Sequence, residues 1–230
     1  MKEKSARQAA RMKRPTYIPP EKTRGVRVQN LEEHGFSKEQ VVKMVAWLPV
    51  ILSYTAERTN SLLANLEEHG FSKEQVVKMV ARHPVILGYT AERTNSLLSN
   101  LEGYGFSKEQ VVKMVARAPG IFCRTAERTN SLFSNLEGHD FLKEQVITMA
   151  TQFPAILTCA TERTNTLIRW FTVNTISFAE KPTRLGWSVA TLEERRKILE
   201  RRGHDYIAKP GPLFYGKTQW ERFARSAIPA

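Results

Sequence analysis

The sequence predicts an all-α chain, an α-solenoid (superhelix) of about five helix-helix-3₁₀ repeats of 35 residues. Three observations carry this. Sliding the chain by 35 residues superimposes Phe36, Phe71, Phe106 and Phe141, and equally Pro49, Pro84, Pro119 and Pro154. Within each copy, two stretches separated by a proline-led apolar segment space their apolar residues at helical intervals. Each copy is also too short to bury a core alone, so the copies must stack.

Residues 1–27 hold nine Lys or Arg and almost no large aliphatics, and are expected to form a basic mobile arm. Residues 28–35 align with Leu63–Gly70 and read as the end of an earlier helix. The solenoid is expected over 28–203, with units 36–70, 71–105, 106–140, 141–170 and a degenerate 171–203. In the copy that starts at Phe71, Ser72 and Gln75 make a capping box, and Val76, Val77, Met79, Val80 and Ala81 share one helical face. Pro84 cannot donate to the helix ladder and pushes His83 out of the helical region, so this first helix should end near Arg82. The apolar segment Pro84–Leu87 then predicts a 3₁₀ turn in the core. Thr90 caps a second helix lined by Thr94, Leu97, Leu98 and Leu101, and Gly105 supplies its left-handed stop.

In the fourth copy Asp140 replaces that glycine and Leu142 replaces the capping serine. The period is expected to fail after Ile168 and to resume seven residues short, with Pro182, Leu185, Gly186, Ser188, Leu199 and Gly203 in the places of Pro84, Leu87, Gly88, Thr90, Leu101 and Gly105. Residues 204–230, with Tyr206, Phe214, Tyr215, Trp220 and Phe223, should fold back as an aromatic cap.

The formal charge of +12 points to a polyanionic partner. It is concentrated at the ends: residues 1–35 and 171–230 carry +5 each, and the segments between stay within −1 and +1. Cys123 and Cys159 are the only cysteines, which fits a reducing intracellular compartment and argues against a disulfide framework. The longest apolar run, Met44–Leu52, is far below the ~18 residues of a membrane span. No catalytic constellation emerges, so no enzyme, cofactor or metal site is expected, and the chain is read as a monomer. His34, His69 and His139 occupy one column of successive copies and form a row that cannot converge on a metal ion.

The charged columns are more informative. At 100° per residue, Arg93 and Asn100 lie on one flank of the second helix, and Asn95 and Glu102 on the other. Stacking turns this into a row Arg58, Arg93, Arg128, Arg163 with amides Asn65, Asn100 and Asn135 beside it, an expected phosphate-binding face. The last repeat helix adds Arg195, Arg196, Arg201 and Arg202. Four columns vary between copies: Trp47, Arg82, Arg117 and Gln152; Leu48, His83, Ala118 and Phe153; Ser53, Gly88, Cys123 and Thr158; Tyr54, Tyr89, Arg124 and Cys159. They flank the proline-led segment. Reading of a target and drift in an unconstrained loop both account for that clustering.

The run GFSKEQVVKMVARHPVIL and the closing LGWSVATLEERRKILERRG resemble the repeats of the mitochondrial transcription termination factor (mTERF) family over residues 28–203. The resemblance implies a superhelix that binds double-stranded nucleic acid along a basic concave groove in transcription or organelle gene expression. Duplex DNA is the expected partner ahead of RNA, and a mitochondrial location is implied. EQVV followed by a variable pair is also similar to TAL-effector repeats, in which two residues read DNA, but proline stands here where that family has Gly-Gly. Packed helices ~8 to 10 Å apart further exceed the ~3.4 Å rise of one base. A protein-interaction solenoid is the remaining alternative, supported by near-neutral repeats and by Trp47, Tyr54 and Tyr89.

Overall fold

The computed structural model describes residues 21–176 and 182–225, and among them only α-helices and 3₁₀ turns occur. The α-helices are α1 (Glu21–Glu33), α2 (Lys38–Trp47), α3 (Ala56–Glu68), α4 (Lys73–Arg82), α5 (Ala91–Tyr104), α6 (Lys108–Arg117), α7 (Ala126–Glu137), α8 (Lys143–Gln152), α9 (Thr161–Val173), α10 (Val189–Arg201) and α11 (Lys217–Arg225). Five-residue 3₁₀ turns, Pro49–Ser53, Pro84–Gly88, Pro119–Cys123, Pro154–Thr158 and Pro182–Gly186, sit inside the repeats, and Gly211–Phe214 follows the last one. This is the helix-helix-3₁₀ repeat architecture that the period predicts. The chain divides into two compact units, Met1–Glu102 with Ser107–Val112, and Gly103–Phe106 with Lys113–Ala230.

The predicted arm of residues 1–27 is corrected at its inner end. Residues 21–27 belong to α1, while 1–20 lie outside the described residues. The carboxy-terminal cap contains the Gly211–Phe214 turn and α11, and residues 226–230 lie outside the description.

Local chemistry sets the element ends. Ser37 and Ser72 accept from the backbone of Gln40 and Gln75, whose side chains accept in return from the serine N–H groups. Leu142 keeps half of that exchange, its N–H donating to Gln145 Oε1 at 2.8 Å. The second helices close with a Schellman turn. The glycine N–H donates to the carbonyl three residues back and the next N–H to that five residues back, as in Gly70 to Glu67 at 2.9 Å and Phe71 to Leu66 at 3.2 Å.

The turn demands positive φ, and the structure shows it in one column: Gly35, Gly70, Gly105, Asp140, Thr175 and Gly203. Thr175 and Ile176 repeat the two hydrogen bonds, to Thr172 at 3.1 Å and Phe171 at 2.9 Å, so the 35-residue period runs to Ile176 and not only to Ile168. The deletion therefore falls between Ile176 and Pro182. A β-branched residue in the left-handed region is strained by ~1 to 2 kcal/mol. Thr175→Gly is expected to stabilise the fold by about 1 kcal/mol, read as a rise in denaturation midpoint, while Gly70→Val lowers it.

The core is one layer per repeat. Leu62, Leu63 and Leu66 of α3, Val76, Met79 and Val80 of α4, and Ile86 and Leu87 of the turn are all at most 2% exposed. Burying such a side chain contributes roughly 1.5 to 3 kcal/mol, which ties the second helix of one repeat to the first helix and turn of the next. Thr94, 1% exposed, satisfies its hydroxyl by donating to Ala91 O at 2.8 Å.

Candidate nucleic-acid interface

In the first three repeats the second helix begins with a threonine cap that fixes the backbone of the arginine three residues on. Thr55, Thr90 and Thr125 accept from the backbone N–H of Arg58, Arg93 and Arg128, and Ala160 leaves Arg163 without that cap. All four guanidinium-bearing residues are exposed. Arg58 Cζ lies over the Tyr54 ring, 5.0 Å from its centroid, and Arg93 Cζ over Tyr89 at 4.4 Å, so each cation sits against the face of the ring that precedes its helix.

The arginine flank does not simply face solvent. Arg58 Nη2 donates to Gly88 O in the following repeat, and Arg163 Nη2 donates to Gly186 O at 3.1 Å and Trp187 O at 3.5 Å. These carbonyls end the next 3₁₀ turn. Each such guanidinium thus spends one donor on the seam between repeats and keeps others. Shallow clefts of about 240 Å3 lie at two equivalent places, one lined by Arg58, Ser61, Tyr89, Thr90, Ala91 and Glu92, the other by Arg124, Arg128, Ser131, Cys159, Ala160 and Thr161.

The amides predicted beside this row have other work. Asn65 Nδ2 donates to Asn95 Oδ1 at 2.7 Å, and Asn135 Nδ2 to Asn165 Oδ1 at 2.5 Å. His69 and His139 join the same acceptors through Nε2 at 2.7 and 3.2 Å, and Asn30 and His34 meet Asn60 in the same way. Asn65 and Asn135 are therefore rungs between repeats, because the flank that carries them faces the next second helix. Asn100 holds the equivalent position and is half-buried. The histidine row is accounted for by these rungs, and among the described residues no group of His, Cys, Asp or Glu is arranged to hold a metal ion.

The variable pair after each first helix is accessible in part. Trp47 is 62% exposed, and Arg82, Arg117 and Gln152 are exposed. Arg117 donates at 3.4 Å to Thr151 O and Gln152 O at the end of α8. His83 is half-buried with Nδ1 enclosed and unpaired among the described residues, and burial, then the charge of Arg82, lowers its pKa.

The basic last repeat helix is corrected most. Arg195 is 6% exposed, lies between Trp187 and Trp220 at 4.5 and 4.7 Å from their centroids, and donates to Leu213 O at 2.9 Å and Tyr215 O at 2.6 Å. Arg202 donates to Phe223 O at 2.9 Å and to Ala224 O. Arg196 pairs with Glu193 and Glu200, both at 2.5 Å, and holds the Glu193 carboxyl at a pKa of about 2, helped by Trp170 Nε1. Arg195 and Arg202 thus fasten the carboxy-terminal segment to α10, and Arg196 braces α10 itself. Arg201 stays exposed, its Nε donating to Lys197 O at 3.2 Å. Sequence reasoning overlooked Arg124, whose Nη2 donates to Thr158 O, although its replacement of a tyrosine marked the column.

The mTERF family model matches residues 20–134 and, in an overlapping register, residues 59–206. The chain belongs to the mTERF family. No curated protein matches it. The two overlapping matches reflect the internal period, since each register of an mTERF array fits the same repeats. mTERF proteins are nucleic-acid-binding, non-enzymatic repeat proteins of transcription or organelle gene expression, and the family is in general mitochondrial or chloroplast. Among the described residues no helix is long and apolar enough to cross a membrane.

Proposed function

We propose that the chain binds double-stranded DNA in transcription regulation or termination within an organelle, holding phosphates with Arg58, Arg93, Arg128 and Arg163. The observation that supports this is the recurrence of an exposed arginine at one register of successive second helices. Its backbone N–H is held by a threonine cap at Arg58, Arg93 and Arg128, and the guanidinium is set over a tyrosine ring in Arg58 and Arg93. A pinned fork loses less rotamer freedom on meeting a phosphate than a mobile side chain, and its planar donors match phosphate oxygens. Trp47, Arg82, His83, Arg117, Gln152 and Arg201 are the proposed additional contacts, placed on the same repeats or on the last repeat helix.

Binding to duplex DNA should weaken linearly in log salt, with a slope of ~0.9 per neutralised phosphate. Replacing Arg93 and Arg128 together by glutamine is expected to reduce that slope by about two, measured by fluorescence anisotropy across a salt series at constant pH. An unchanged slope removes these arginines from the interface. Repeating the titration with a duplex RNA of the same length distinguishes DNA from RNA as the preferred partner.

A further inference from the structure

We infer that the variable residues at either end of the 3₁₀ turns match consecutive repeats to one another, so that copies otherwise nearly identical stack in one order. Three seams, each inside one compact unit, show the pairing.

At the first, a Cβ built on Gly88 would stand 2.8 Å from Tyr54 Oη, and Arg58 donates to the same glycine's carbonyl. At the seam between the third and fourth repeats the residue in the Gly88 column is Thr158, and the ring is gone. Arg124 stands in the tyrosine column and donates to Thr158 O. At the seam to the last repeat glycine returns as Gly186, and a ring meets it from the other variable column: a Cβ there would stand 3.3 Å from Phe153 Cζ, while the tyrosine column holds Cys159. An arginine reaches the turn carbonyl at all three seams. What differs is that each glycine is also met by an aromatic ring, whereas at Thr158 arginine stands in the tyrosine column.

The pairing follows from volume and hydrogen bonding. A ring laid on a turn needs the Cβ absent, whereas a guanidinium that reaches the turn carbonyl leaves space for a side chain there. Since the first helices read KEQVVKMVA in three successive copies, core packing distinguishes one neighbour from another weakly. A mismatched seam places a Cβ against a tyrosine hydroxyl or leaves the space of the missing ring unfilled, which penalises the wrong order. The clustering of variation around the turns then has a cause inside the molecule, independent of which nucleic acid it binds.

The test is a double-mutant cycle on the full chain, followed by chemical denaturation. Gly88→Ala alone should lower the midpoint, because its methyl meets Tyr54 Oη. In the Tyr54→Phe background the nearest remaining ring carbon is 3.5 Å away, an ordinary contact, and the same substitution should be neutral or stabilising. Transplanting the other solution, Tyr54→Arg with Gly88→Thr, should recover most of what Gly88→Thr loses alone. Additive effects in both cycles would overturn the inference. So would a change of preferred duplex sequence in Gly88→Ala/Tyr54→Phe at unchanged stability, because target reading would then account for these positions.

Discussion

Arg195→Leu is expected to destabilise the carboxy-terminal end by about 3 kcal/mol and to release the cap that follows Gly203. The side chain is 6% exposed, and its Nη1 is the donor to both Leu213 O and Tyr215 O. Leucine fills part of the volume but leaves the carbonyls of Leu213, in the Gly211–Phe214 turn, and of Tyr215, just after it, without this donor, at ~1 to 3 kcal/mol for each that stays dry. The cation also leaves the faces of Trp187 and Trp220, a further loss of ~0.5 to 2 kcal/mol. Burial lowers the pKa of this guanidinium, yet arginine remains charged at any pH at which the protein folds. The effect should therefore be independent of pH. For a chain of this size the shift is roughly 6 to 12 °C in Tm, read in tryptophan fluorescence. Arg195→Lys keeps the charge but not the planar fork, so it should recover only a part. Proteolysis in residues 204–216 should accelerate in both variants, and equal resistance of Arg195→Leu and the parent chain would mean that the cap is held by its apolar contacts alone.

How far the sequence carried the reading depends on what each signal measures. Period and capping are local. Ser72 with Gln75, Pro84 after His83, and Gly105 at the helix end act on their own backbone, and each lies where expected. Continuation of the turn at Thr175 and Ile176 was hidden because the side chains changed while the backbone motif persisted. A helical wheel placed Arg93 and Asn100 together and Asn95 opposite, but it gives only angles about one axis. It does not say what lies beyond each flank. In a stacked array both flanks of an inner helix face neighbours, so the flank read as solvent-facing carries the Asn65 to Asn95 rung and the Arg58 to Gly88 contact. The same limit applied to Arg195, Arg196 and Arg202. Their number suggested a basic surface, and only the fold shows that residues from Leu213 through α11 supply acceptors and rings to Arg195 and Arg202, while Arg196 pairs with Glu193 and Glu200 of α10.

The largest single loss in the core is expected from Phe133→Ala. Phe133 is 1% exposed in a column that elsewhere holds Leu63, Leu98 and Ile168, and it stacks on Tyr104 with centroids 3.9 Å apart and planes at 20°. Phe106 completes the cluster at 5.8 Å. Tyr104 stands where the other copies have His34, His69 and His139, and its hydroxyl donates to Glu137 Oε1 at 2.7 Å. That bond pins the ring over Phe133, and burial, then the bond to Glu137, raises the phenol pKa. The histidine rung of the other repeats is thus replaced by an aromatic one. Truncating a buried phenylalanine to alanine costs ~3 to 5 kcal/mol, and the lost ring pair adds to the upper end of that range. Phe133→Leu restores the residue that the column holds in the first two full repeats and should cost about 1 kcal/mol, chiefly the aromatic pair. Tyr104→His in the Phe133→Leu background should then cost less than Tyr104→His alone, because the tyrosine has already lost its stacking partner. Equal cost in the two backgrounds would mean that Tyr104 is held by Glu137 and Phe106 without a contribution from Phe133.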